Sequence, residues 1–133
     1  MSRRIMVFNH SPHLLKLYQL ILQQRDYHVL IFEENQQSAK LVQSILPDLV
    51  ILGNIKGHCI DEFDVLLDLR INPITQYIPV LICTTSLPDL QRMVADWNFS
   101  PIASIEKPFN SKEFLIEVER LLTLAPGYSA TAM

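Results

Sequence analysis

Five short apolar runs punctuate the chain, at positions 5–8, 27–32, 48–52, 78–83 and 102–105. Each is rich in Ile, Val, Leu or Phe and is bounded by polar or turn-forming residues, so each predicts a strand. The clearest is Asp48-Leu49-Val50-Ile51-Leu52, enclosed by Pro47 and by Gly53-Asn54. An unbroken apolar run of this length predicts a strand covered on both faces, which requires helices above and below a parallel sheet.

Between the runs the spacing changes to that of helices. Ser11 is placed to cap a first helix, with Pro12 at its first position, running to about residue 24. Asn35 can cap a second helix, whose stripe Ala39, Leu41, Val42, Ile45 and Leu46 is stopped by Pro47. Asp61 with Asp64 opens a third, and Ser86 with Asp89 a fourth, whose inward stripe is Leu90, Met93, Val94 and Trp97. Asn110 with Glu113 opens the last, where Phe114, Leu115, Val118, Leu121 and Leu122 share one face. Residues 125–133, small and polar around Pro126-Gly127, predict a tail or linker beyond a single domain over 1–124.

Five strands alternating with five helices predict a flavodoxin-like (βα)5 fold. This is a doubly wound, parallel, five-stranded sheet of order 2-1-3-4-5 in a three-layer sandwich. Ligands of such sheets bind beyond the carboxyl ends of the strands. The position just past Leu52 is therefore the informative one, and Gly53 occupies it without a side chain.

Composition narrows the classes. With 133 residues, 49% hydrophobic and 19% charged, the chain can bury a core without metals or disulfides. A formal charge of -3 gives no basic footprint for nucleic acid. No run approaches the roughly 20 apolar residues of a membrane span. The basic start Arg3-Arg4 is followed by an apolar run that ends at Phe8, too short for a leader. Cys59 falls in a loop and Cys83 in a strand, which predicts neither a disulfide framework nor a zinc site, and a cytoplasmic setting is expected. With only three glycines there is no phosphate-binding loop, and no nucleophile–base pair stands out, so no enzyme and no cofactor are expected.

Four blocks, at 5–15, 47–65, 78–85 and 106–109, resemble in order and spacing the receiver domain of bacterial response regulators, across about nine tenths of the chain. In that family an acidic pair after strand 1 and an aspartate after strand 3 hold Mg2+, and that aspartate accepts a phosphoryl group. A hydroxyl residue after strand 4 and a lysine after strand 5 contact it. The acidic pair falls on Asn9 and His10, the acceptor on Gly53, the hydroxyl on Thr84 and the lysine on Lys107, followed by Pro108. The ring that changes rotamer on activation falls on Ser104. Mg2+ needs hard oxygen ligands and phosphoryl transfer needs a nucleophile, so the resemblance implies a degenerate, pseudo-receiver member that is not phosphorylated at this site.

Other residues read as structural. Asp48 precedes its strand, at the end away from the crevice. His10 lacks a base or a second ligand, and Asp61 and Asp64 serve as helix starts. Trp97 fits its helix stripe, and Lys107 can find a carboxylate such as Glu33, Glu34 or Asp61.

Two functions follow. One is a phosphorylation-independent module of two-component, phosphorelay-type signalling that binds a protein partner or a second copy of itself. The other is a sensor of a small anion or ligand, with weak phosphate or sulfate binding at the emptied crevice near Lys56, Thr84 and Lys107. The first helix bears on the partner reading. At about 100° per residue its apolar positions cover roughly 220°, twice what a surface helix needs. Tyr18 and Ile21 lie near the centre of that arc, Leu15 on one flank, and Leu17 and Leu20 on the other as a candidate partner face.

Overall fold

The structure, a computed structural model, describes residues 3–9, 11–33, 38–52, 62–84, 102–106 and 110–132; for 62–64, 84, 102–106 and 124–132 the description is of the backbone. The elements are β1 (Arg4–Asn9), α1 (Pro12–Gln23), β2 (His28–Glu33), α2 (Ser38–Ile45), β3 (Leu49–Leu52), α3 (Glu62–Ile71), β4 (Val80–Thr84), β5 (Ile102–Glu106) and α4 (Ser111–Ala132). The strands pair in parallel in the order β2-β1-β3-β4-β5. The helix expected over 86–97 lies outside the described residues, so four of the five expected helices are seen.

The unbroken apolar runs are explained by two separate cores. Ile5, Val7, Leu49, Ile51, Leu81 and Cys83 point to one face, beneath α1 and α4. Met6, Phe8, Val50, Leu52, Val80 and Ile82 point to the other, beneath α2 and α3. Side chains alternate across a strand, so only a sheet covered on both sides buries every residue of Leu49–Leu52. On the first face Tyr18 stacks on Phe114, with ring centroids 5.1 Å apart. Burial, reinforced by a hydrogen-bonded Cys83 side chain, raises the Tyr18 phenol well above its usual range. It therefore stays neutral in the core.

The amino edge of the sheet is tied down. The Arg4 N–H donates to Asp48 Oδ2 at 2.8 Å, the Asp48 N–H returns a bond to the Arg4 carbonyl at 2.8 Å, and the Arg4 guanidinium donates to the Leu46 carbonyl at 3.1 Å. Asp48 is thus a structural brace. Arg70 on α3 is only 3% exposed. Its guanidinium donates to the carbonyls of Thr75 (3.3 Å) and Ile78 (2.7 Å), fastening the turn that feeds β4. Thr75 Oγ1 donates to the Leu69 carbonyl at 2.7 Å, closing the same turn.

Several expectations need correction. Leu46, expected on the inward stripe of the second helix, lies past its end, exposed, with φ 53°. A left-handed residue after the last turn, followed by Pro47, stops the helix and turns Leu46 outward. Ile21 is only partly buried; the buried line of α1 is Leu15, Tyr18 and Leu22, rotated toward the Leu15 flank because α1 shares its face with α4. The predicted tail is backbone helix as far as Ala132. Pro126 removes one N–H bond from that turn, while Ala125, Ala130 and Ala132 favour helix.

Candidate functional site

The parallel register brings the ends of β1, β3, β4 and β5 to one edge. Phe8 is level with Leu52, Leu52 with Ile82, and Thr84 with Glu106. Asn9 therefore stands at this edge as the last residue of β1, a strand residue where the sequence pattern had left a loop. Thr84 closes β4, and Ser104 lies mid-strand in β5, opposite Ile82. His10, Lys56, Gly53 and Lys107 lie outside the described residues. Sequence alone places Gly53 immediately after β3 and Lys107 immediately after β5.

Asn9 is the one member of the set with a described side chain, and it is 3% exposed. The chain leaves β1 and enters α1 within two residues, so its carboxamide folds over the start of the helix. Its Oδ1 accepts from the Ser11 N–H at 2.9 Å. Ser11 is the cap that the sequence predicted, with extended backbone and an Oγ that accepts from the Leu14 N–H at 3.2 Å. The Ser11 N–H can only donate, so the amide atom facing it must be oxygen, and this fixes the amide orientation. Nδ2 is then left buried without a hydrogen-bond partner. Such a donor costs about 1–3 kcal/mol unless something accepts from it. Sequence reasoning identified Asn9 as a lost carboxylate but missed the stranded donor, which only burial reveals.

The candidate partner face is also in view. Leu17 is 49% and Leu20 52% exposed, about one turn of α1 from each other and to one side of the buried line. Around them Pro12, His13, Lys16, Gln23 and Gln24 are exposed too, and the first turn of α1 holds no acidic residue.

No family model matches the sequence, and no curated protein matches it either. Solved structures do match. The chemotaxis response regulator CheY4 of Vibrio cholerae shares 17% identity over 91% of this chain and 99% of its own, with a TM-score of 0.79. The signal receiver domain of a putative Luxo repressor protein from Vibrio parahaemolyticus shares 19% over 98% of each chain, at 0.80. The receiver domain of a sensor histidine kinase from Pseudomonas aeruginosa, crystallised with a magnesium ion in its active site cleft, shares 15% over 92% of this chain and 99% of its own, at 0.78. These TM-scores, over at least 91% of this chain, establish a CheY-like, flavodoxin-like α/β fold.

The fold raises the question of Mg2+ in this chain. Mg2+ takes oxygen ligands in a near-octahedral shell, usually including carboxylates. Asn9 spends its oxygen on the backbone of α1 and leaves an NH2 donor, whose hydrogens repel a cation. Asn9 as held here does not fit a Mg2+ ligand. Among the described residues no helix is long and apolar enough to cross a membrane.

Proposed function

We propose that this chain is a pseudo-receiver: a receiver-like signalling domain of two-component type that binds protein partners without being phosphorylated. The observation that carries it is the end of β1, where the fold is kept but the side chain offered is a carboxamide turned onto its own backbone. The residue after β3 is Gly53, which supplies no nucleophile. A domain that keeps both cores while losing these groups serves as a binding surface in the cytoplasm rather than as an enzyme. The exposed Leu17 and Leu20 are the surface we assign to the partner or to a second copy.

One experiment with two readouts tests this. Incubation with acetyl phosphate and millimolar Mg2+ should add no phosphoryl mass by intact mass spectrometry. A Mg2+-dependent gain mapping to the carboxyl edge would defeat the reading. In parallel, Leu17→Glu with Leu20→Glu should abolish association, measured by sedimentation for self-association and by pull-down for other partners. Unfolding should stay cooperative and move by under about 0.5 kcal/mol, because both side chains face water. If association survives, these leucines are not the interface.

The second reading, a small-anion sensor, is favoured by the stranded Asn9 amide.

A further inference from the structure

We infer that the turn joining β1 to α1 is a site for a small tetrahedral oxyanion of the phosphate or sulfate type. The inference rests on reading the end of β1 as free of carboxylate, and it gives the sensor reading a place and a ligand class.

Three features converge. First, Asn9 is 3% exposed and its Nδ2 has no partner. Its Oδ1 is committed to the Ser11 N–H at 2.9 Å, so the carboxamide offers a ligand only a donor. Second, that donor is held against the N-terminus of a 12-residue helix, where the backbone dipoles favour negative charge. The first turn of α1 contains no acidic residue to satisfy that field from within. Third, the amides of the described residues at the start of α1 are sorted. The Ser11 and Leu14 N–H groups are used by Asn9 Oδ1 and Ser11 Oγ, and Pro12 has none. The His13 N–H remains, without an acceptor among the described residues. Asn9 Nδ2 and the His13 N–H are thus the donors of this stretch that no described acceptor takes, which suits an anionic acceptor and opposes a cation.

Among the described residues, one group works against the ligand. Glu33 on β2 is the register partner of Asn9, and the two side chains leave the same face of the sheet. Glu33 is exposed, so its repulsion is screened, but it sets the affinity low, in the millimolar range.

The test is a titration with inorganic phosphate at constant ionic strength, following the Asn9 side-chain amide and the Ser11 and His13 backbone amides by nitrogen-15 NMR. Sodium chloride and magnesium chloride serve as separate arms. Saturable shifts with phosphate at millimolar half-saturation are expected, with none from chloride. Asn9→Asp keeps the oxygen for Ser11 but removes the donor, and should weaken phosphate at least tenfold. Glu33→Gln should tighten it. If Asn9→Asp does not give a cooperative melt, Asn9→Ser replaces it. Phosphate shifts that are non-saturable, matched by chloride, or unchanged in the Asn9 variant overturn the site. A saturable Mg2+ response at Asn9 with no phosphate response overturns both the site and the pseudo-receiver reading. Flat shifts in every arm overturn the site alone.

Discussion

The two edges of the sheet treat their polar groups differently. At the amino edge Arg4, Asp48 and Leu46 exchange three hydrogen bonds of 2.8–3.1 Å, and the buried Arg70 is committed to two carbonyls of the turn before β4. At the carboxyl edge the buried Asn9 uses its oxygen and leaves its nitrogen unused. Folding disfavours a stranded donor, because unfolded chains bond it to water. Among the described residues each edge leaves one buried donor atom without a hydrogen bond, Arg70 Nε and Asn9 Nδ2. Arg70 is fastened through its two other nitrogens, whereas the whole NH2 group of Asn9 is left over and gives the carboxyl edge capacity for a ligand.

Three substitutions can break this contrast. Arg70→Ala should have the largest effect. It removes a buried guanidinium and takes from the Ile78 carbonyl its described side-chain donor, while the Thr75 carbonyl keeps the Ile78 N–H, at a cost of about 3 kcal/mol. Urea unfolding should show the midpoint falling with an unchanged slope; a loss below about 1 kcal/mol would mean the turn holds without its clamp. Asp48→Ala removes one acceptor from a partly exposed brace and should cost about 1 kcal/mol by the same measurement. No loss would make the amino edge as tolerant as the carboxyl one. Asn9→Ala should cost least, within about 0.5 kcal/mol, because the Ser11 bond is lost while the burial of an unsatisfied amide is relieved. A loss above about 1.5 kcal/mol would show that Asn9 is a structural residue and end the contrast between the edges.

Much of the fold was legible in the chain because its signals are local. Ser11 before Pro12 caps α1 as its side chain requires, and Asn110 with Glu113 opens α4 through a 2.8 Å bond from the Glu113 N–H to Asn110 Oδ1. The candidate site was half legible. Asn9, His10 and Gly53 declare missing carboxylates by identity alone. How the remaining Asn9 amide is aimed depends on a backbone N–H two residues on and on what buries it.

The sequence by itself determined the alternation of strand and helix among the described elements, the Ser11 and Asn110 caps, and the absence of acidic side chains at three positions. Each is a property of one residue or of a spacing within a single element. Tertiary structure decided the rest. α4 packed beside α1 rotates its buried line to Leu15, Tyr18 and Leu22, leaving Leu17 and Leu20 in solvent. Arg70, a charge that a helix pattern would assign to water, is drawn inside by two carbonyls of a later turn. Asn9 becomes a buried, half-used amide only when β1, paired between β2 and β3, delivers it to the start of α1. Burial and partner choice are set by surfaces brought together from distant parts of the chain, and no local spacing encodes them.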